Sequence, residues 1–386
     1  MKKKIALGLA TIMVFALLAG CGGKSDNTTI KIGGNFEQTG SVATFGKAAV
    51  NGAQLAFDKF NEAGGFNGKK IEFIPMDNKS TAEESTSVVT KLITEKGVVA
   101  VLGATTSGNT LGAVQVADDN KVPMISSSAT NPDVTVDPKT SKTRPYVYRA
   151  CFIDPFQGTV MANFASQKLN AKTAVIYVDN AAPYSKGLAK YFKESFIKNG
   201  GKVVLEEGYV TKDQDFRATL TKIKGAKADV LYVPGYYQEV GLIAKQAREL
   251  GITAPMMGGD GWDSSELVKI GGEAALNNGF FSNHYSSAQP DKIVQDFVKE
   301  YKAKYNNETP DSMAVLGYDA AELYIAALKK AGSEDPQKVK EALDTIKDVQ
   351  LVTGKISFDD KHNPVKGAAI LEMKDGKQVY KDYINP

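Results

Sequence analysis

Short runs of β-branched and apolar residues alternate with segments of helical periodicity along this chain, and that alternation restricts it to parallel sheets covered by helices. Residues 28–32 read as a first strand. A helix is expected over 47–63, because Ala49, Ala53, Ala56, Phe57 and Phe60 fall on one face and Gly64-Gly65 stops it. Residues 70–76 are a second strand. Ser80 and Glu83 then form a capping-box pattern before a helix whose Val88, Val89, Leu92 and Ile93 make an apolar stripe. Residues 98–102 and 122–125 give a third and fourth strand. After Arg149 the alternation restarts, with strands at 173–178, 202–205, 229–233 and 255–257. Two similar α/β units in series follow from this pattern.

The tail has another rhythm. Residues 293–305, 312–330 and 336–346 have helical periodicity, whereas 355–358, 369–373 and 378–383 read as strands. A helical stretch followed by strands suits a chain that returns to both units. About 360 residues follow the first 29, enough for two domains, and no internal repeat, low-complexity block or Pro-rich linker divides them.

At the other end Lys2, Lys3 and Lys4 precede an uncharged, mostly apolar run over 5–18, and Leu18-Ala19-Gly20-Cys21 follows directly. The run is short for a membrane span, and small residues before Cys21 suit a signal peptidase. This segment resembles the lipobox of bacterial lipoproteins. The likeness implies that the Cys21 sulfur is acylated and the chain cleaved before it, so that residues 21–29 become a flexible, lipid-anchored tether. The protein is then exported and held on the extracytoplasmic face of the cell membrane.

Loss of residues 1–20 takes Lys+Arg from 47 to 44 against 44 Asp+Glu, so the formal charge of +3 belongs to the leader. The body contains no Lys/Arg-rich block, and nucleic-acid binding is not expected. No later apolar stretch reaches spanning length, which leaves the lipid anchor as the membrane contact. With Cys21 committed to the anchor, Cys151 is left alone in the strand-like run 146–152, as a small buried hydrophobe.

Catalytic motifs are missing from the sequence: there is no Gly-x-Ser-x-Gly elbow, no P-loop, no His-Glu-x-x-His and no zinc spacing. Gly33-Gly34 to Gly40 lacks the spacing of a dinucleotide loop. His284 and His362 lie far apart, and His362 sits with Asp359 and Asp360 in what reads as an exposed turn. Neither an enzyme, a cofactor nor a metal is expected.

Hydroxyl-rich loops stand where strands end. In open parallel sheets ligands sit beyond the carboxyl ends of strands, where helix N-termini offer unpaired N–H groups. Ala104-Thr105-Thr106-Ser107-Gly108-Asn109-Thr110 follows the third strand and Ser126-Ser127-Ser128-Ala129-Thr130 the fourth, a pair suited to a carboxylate. Either loop alone is as readily a helix cap. The second unit offers Tyr184, Tyr236 with Tyr237, and Asp260 with Trp262 at its own strand ends. A buried carboxylate there needs a cation, which a ligand ammonium supplies, and aromatic rings suit both that ammonium and an apolar side chain.

From Gly40, Phe45-Gly46, Asn51-Gly52-Ala53, Ala56 and Asn61-Glu62-Ala63-Gly64-Gly65-Phe66-Asn67-Gly68, the chain resembles the leucine/isoleucine/valine-binding proteins of ABC transporters. The likeness continues in order through Pro123-Met124-Ile125-Ser126 to Thr130, Tyr184-Ser185-Lys186-Gly187, Gly235-Tyr236, Gln246-Ala247-Arg248 and Met257-Gly258-Gly259-Asp260-Gly261. It implies an α/β fold of two Rossmann-like lobes with parallel sheets joined by a three-stranded hinge, the type I periplasmic-binding architecture. Residues 30–152 with 283–355 would form the first lobe, and 153–282 with 356–386 the second. The likeness further implies that Ser107, Ser128 and Thr130, with backbone help around Ala129, bind the carboxylate and ammonium of an amino acid. Tyr184 and Tyr236 would close over it, Phe45 would line its side-chain pocket, and Asp260 stands where the family often has a glutamate at the ammonium. Asp260 is one methylene shorter than that glutamate, and Thr106 occupies the region of an occasional first-lobe disulfide.

A monomer that hands an amino acid to an ABC permease is the expected function. An amide, a urea-like compound or an aromatic acid remains open as the ligand. So does a role as ligand sensor for a separate membrane receptor, and a surface hydrolase is disfavoured by the missing motifs.

Overall fold

The computed structural model describes residues 28–385; the expected leader and the lipidation site Cys21 lie outside them. The first apolar run becomes β1 (Thr29–Phe36), which is almost wholly buried because helices cover both faces of its sheet. It is followed by α1 (Ala43–Glu62), β2 (Lys70–Asp77), α2 (Ala82–Thr94), β3 (Ala100–Gly103), α3 (Ser107–Asn120), β4 (Met124–Ser126) and β5 (Val147–Arg149). The strands pair in the order β2-β1-β3-β4-β5, parallel throughout.

The cap of α2 lies one residue beyond the expected Ser80. Thr81 Oγ1 accepts the Glu84 N–H at 3.2 Å, while Ser80, at φ 58°, donates its hydroxyl to the Thr39 carbonyl at 2.7 Å. Ser80 is thus drawn off by a residue from the loop after β1, which the local pattern does not encode. Gly33 and Gly34 lie inside β1 and form no loop.

The second lobe begins with α4 (Asp154–Gln167) and continues through β6 (Thr173–Asp179), α5 (Pro183–Lys198), β7 (Lys202–Tyr209), α6 (Arg217–Ala226) and β8 (Val230–Tyr232). Next come α7 (Tyr237–Glu249), β9 (Met256–Gly258), α8 (Ser265–Gly271), α9 (Glu273–Leu276) and β10 (Gly279–Asn283). The chain then returns to the first lobe as α10 (Lys292–Lys304), α11 (Ser312–Ala331), α12 (Pro336–Leu343) and the hairpin β11 (Val349–Leu351) with β12 (Gly354–Ile356). Finally β13 (Ala368–Lys374) and β14 (Lys377–Ile384) join the second sheet, giving the order β14-β13-β10-β9-β8-β6-β7. This sheet is mixed rather than parallel, because β13 and β14 enter as an antiparallel hairpin on β10.

The chain therefore passes between lobes over 150–153, 284–291 and 357–367. Two residues differ from the boundaries read in the sequence. Asn283 pairs with Ala369 in the second sheet, and Ile356 packs in the apolar cluster of the first lobe.

The returning helix α11 explains the Asn51-Gly52-Ala53 motif. A Cβ on Gly52 would stand 1.8 Å from the Ala314 carbonyl oxygen, and one on Gly317 would stand 2.1 Å from that of Ala49. Small residues let α1 and α11 meet backbone to backbone, and the flanking Phe57, Leu316, Tyr324 and Leu328 are buried as a result. Each large apolar side chain buried at such a seam contributes about 1.5–3 kcal/mol. Cys151 lies fully buried in the first crossing, and burial pushes its thiol up to about 12, as suits a packing residue.

His362 is not the exposed turn residue expected. Its ring stacks on Tyr148 with centroids 4.2 Å apart, and Nδ1 lies 2.9 Å from the Val147 carbonyl oxygen.

The lobes are closed on each other. Val42 and Phe45 at the start of α1, and Met313 at the start of α11, belong to the apolar cluster of the second lobe. Asn131 donates to the Pro183 carbonyl at 3.0 Å, the Ser312 N–H to Asp263 Oδ2 at 2.8 Å, and the Thr44 and Ser264 hydroxyls meet at 3.1 Å. Among the described residues no helix is long and apolar enough to cross a membrane.

Candidate functional site

Parallel strands point their carboxyl ends the same way, so the loops after them gather on one edge of each sheet. Closure brings the two edges together. Between them lies a small, nearly filled cavity, lined by Phe45, Thr105, Ser107, Ser128, Met313, Tyr184, Tyr236, Asp260 and Gly261.

On the first lobe the loop after β3 is organised by Glu37, a residue the sequence did not single out. Its carboxylate is fully buried just beyond the end of β1. Oε2 accepts the Thr105 N–H at 3.1 Å and the Thr105 hydroxyl at 2.6 Å; Oε1 accepts the Thr106 N–H and hydroxyl, both at 3.0 Å, and the Asn109 amide at 2.9 Å. The hydroxyls of Thr105 and Thr106 are thereby committed to Glu37 rather than to a ligand. Ser107, the first residue of α3, is left at the cavity with the N-terminus of that helix behind it.

The loop after β4 divides into lining and bracing residues. Ser128 lines the cavity and donates its hydroxyl to the Thr105 carbonyl at 2.9 Å. Ala129 and Thr130 are not on the wall. The Ala129 N–H goes to Ser126 Oγ at 3.1 Å and its carbonyl accepts from Arg149 at 2.6 Å, while the Thr130 carbonyl accepts the Asp154 N–H at 3.0 Å. The backbone groups around Ala129 are thus engaged within the loop, by Arg149 at the end of β5 and by Asp154 at the start of α4.

Asp260 dominates the second lobe's side. It opens a 3-10 turn (Asp260–Trp262) after β9 and is 2% exposed. Tyr184 donates to Oδ1 at 2.9 Å and in turn accepts the Gly261 N–H at 3.1 Å; His284 Nε2 lies 3.0 Å from Oδ2; and the Asp260 N–H goes to Gln157 Oε1 at 2.9 Å. The Gly-Gly-Asp-Gly run is needed for this closeness, since a Cβ on Gly259 would stand 2.5 Å from Gln157 Oε1 and 2.7 Å from the Tyr184 hydroxyl. Among the described residues no lysine or arginine pairs with Asp260. A buried carboxylate held by neutral donors keeps a demand for positive charge.

The remaining wall is aromatic. The rings of Tyr184 and Tyr236 stack with centroids 5.0 Å apart, and Phe45 meets Tyr236 edge-on at 6.0 Å and Tyr237 at 5.1 Å. Burial pushes the phenols of Tyr184 and Tyr236 well above their ordinary range, so both stay neutral donors. Sequence reasoning named the loop that carries Thr105 but missed Met313 on the wall and Glu37, Gln157 and His284 behind it. Glu37 flanks a strand end, the one signal that could have found it.

A second buried carboxylate, Asp154 at the start of α4, stands between the lobes. Burial, reinforced by the negative charge of Asp260 and only partly offset by the Thr130 hydroxyl and Arg149, pushes it up to about 8.

A helix start, a carboxylate with neutral partners and an aromatic wall face each other across one small cavity. Two α/β lobes closed on such a cavity define a two-lobed solute-binding protein. The chain belongs to the periplasmic binding protein family, whose model matches residues 29–378. It is similar to the substrate-binding protein LivJ of a branched-chain amino acid transporter from Streptococcus pneumoniae, solved with isoleucine. That likeness is 43% in sequence with a TM-score of 0.87, over 93% of this chain and 100% of the other. The leucine-binding protein LivK from Thermotoga maritima is 34% identical with a TM-score of 0.87, over 93% and 99% of the two chains. A leucine-, isoleucine-, valine-, threonine- and alanine-binding protein from Pseudomonas aeruginosa is 32% identical over 334 residues, 86% of each chain. The chain is a binding protein, not an enzyme.

Proposed function

We propose that this protein captures a branched-chain amino acid by closing its lobes and delivers it to an ABC permease, from the extracytoplasmic face of a membrane to which Cys21 tethers it as a monomer. The observation that carries the reading is Asp260, buried with neutral partners only, in the same small cavity as the start of α3. Asp260 with Tyr184 receives the ligand's ammonium, Ser107 and Ser128 with the N-terminus of α3 receive its carboxylate, and Phe45, Tyr236 and Met313 enclose its side chain. The first lobe binds first, and hinge closure brings the second over the ligand. A micromolar ligand supplies about 8 kcal/mol at the standard state, enough to bias an opening equilibrium of a few kcal/mol. The relatives solved or named with leucine, isoleucine and valine support this choice of ligand.

Calorimetry with isoleucine, leucine, valine, benzoate and an aliphatic amide tests it. Saturable heat with the three branched-chain amino acids and none with benzoate or the amide is expected; the reverse ranking overturns the reading. Cys21→Ala should release the protein from membranes into the soluble fraction, and unchanged membrane retention would remove the anchor.

The fold also carries a pH signature through Asp154. Its carboxyl has a raised pKa in the closed fold, so the fold is favoured with the proton on, and the cost of ionising it grows as pH rises from the ordinary carboxylate range toward about 8. Asp154→Asn removes that cost. With isoleucine in excess, thermal denaturation should show the variant more stable at pH 8, by about 2 kcal/mol or more, with the gain shrinking toward pH 4. An equal gain at both pH values would place the effect elsewhere.

A further inference from the structure

Asp260 accepts from two neutral groups, and one of them stands outside the cavity wall. His284 is the first residue after β10, at the head of the second crossing, and is wholly buried. Its ring stacks on Phe152 of the first crossing, with centroids 3.8 Å apart and planes 23° apart. Nε2 lies 3.0 Å from Asp260 Oδ2, whereas Nδ1 is buried with no hydrogen-bond partner.

We propose that His284 is the positioning residue of the ammonium site, a neutral imidazole protonated on Nε2 that fixes Asp260 as an oriented carboxylate and ties it to the hinge. The assignment rests on the reading that Asp260 receives the ligand's ammonium. A proton on Nδ1 alone would turn the Nε2 lone pair against the carboxylate oxygen. A proton on both nitrogens would bury an Nδ1–H with no acceptor. It would also put a positive charge where the ligand's own ammonium must dock. The neutral Nε2–H form has neither defect: it donates to Oδ2, leaves the carboxylate's charge uncompensated, and satisfies the ring's one hydrogen bond among the described residues.

The surrounding charges agree. Burial, as the largest effect, lowers the His284 pKa from its ordinary value; Asp260 and Asp263, from the segment after β9, oppose it, and Lys366 of the third crossing adds to it. The imidazole is therefore neutral through the neutral range and charges only in acid. Phe152 on the other face carries no charge, and Asp154, near Asp260, titrates in a higher window than His284. Because His284 stacks across two crossings, Asp260 is oriented by the hinge itself rather than by its own loop alone.

Isoleucine calorimetry on His284→Gln and His284→Phe tests the assignment. Glutamine offers an amide N–H in place of Nε2–H and does not titrate; phenylalanine keeps the stack and removes the donor. At about pH 7.5 the glutamine variant should bind within about threefold of wild type, and the phenylalanine variant at least about tenfold more weakly. As pH falls below the ordinary imidazole range, wild type should lose affinity and His284→Gln should not. The chain has two histidines, so nitrogen NMR of the imidazoles, with His362→Gln for assignment, reads the tautomer directly. An unprotonated Nδ1 at neutral pH is expected. A protonated Nδ1, wild-type binding by His284→Phe, or the same acid loss in His284→Gln would overturn the assignment. Failure of the amino-acid reading is seen separately, as wild-type protein that gives no heat with any branched-chain amino acid while the NMR still reports the tautomer.

Discussion

Asp260→Ala is expected to weaken isoleucine binding by about thirtyfold to several thousandfold, the 2–5 kcal/mol that follows when one member of a buried charge pair is removed. The carboxylate is 2% exposed and its protein partners, Tyr184 and His284, are neutral, so the ligand's ammonium would meet no other full negative charge on the cavity wall. Alanine also leaves the Tyr184 hydroxyl and His284 Nε2–H without an acceptor, which costs the fold about 1–3 kcal/mol for each. Asp260→Asn separates the two effects. It keeps shape and one acceptor oxygen but sets an amide against one of the two donors, so its melting temperature should lie between those of wild type and the alanine variant while its affinity falls almost as far as that of the alanine variant. Calorimetry and thermal denaturation of both variants check this, and an asparagine variant that binds isoleucine as wild type does would show that charge at this position is not used.

Why Asp260 could be singled out from sequence, and its supports could not, is a matter of range. Asp260, Tyr184, Tyr236 and Ser107 each lie in the turn or helix start that follows a strand, and a parallel sheet sends all such residues to one edge whatever the rest of the chain does. The alternation of strands and helices was legible for the same reason: it is set by local periodicity, which neighbouring residues carry between them. Strand lengths and caps were less so. Thr81 displaced Ser80 as the cap of α2 because Ser80 is taken by Thr39, a contact 41 residues away. The antiparallel entry of β13 and β14 depends on which edge of the second sheet is free once β10 has formed, which the tail's own pattern does not state. His284 and Gln157 meet Asp260 only after chain segments 24 and 103 residues away have been brought together, and each by itself reads as an ordinary polar residue.

Glu37 is the strongest case of a residue that is silent in sequence and large in consequence. Its carboxylate accepts two backbone N–H groups, two hydroxyls and an amide from the loop after β3, across 68 to 72 residues of chain. Hydrogen bonds to a charged group contribute about 1.5–3 kcal/mol each, and buried donors left unpaired cost comparable amounts. Glu37→Ala is accordingly expected to destabilise the protein by about 3–5 kcal/mol, because five neutral donors lose their acceptor together, measured as a lower denaturant midpoint. Affinity should fall as well, because the freed Thr105–Asn109 segment carries Ser107 and the carbonyl that Ser128 donates to. Glu37→Gln keeps the volume and one acceptor oxygen but sets an amide against the donors of one side, so its loss should lie between wild type and alanine in both measurements. If stability drops while isoleucine affinity is unchanged, the loop holds its shape without the carboxylate, and Glu37 serves the fold alone.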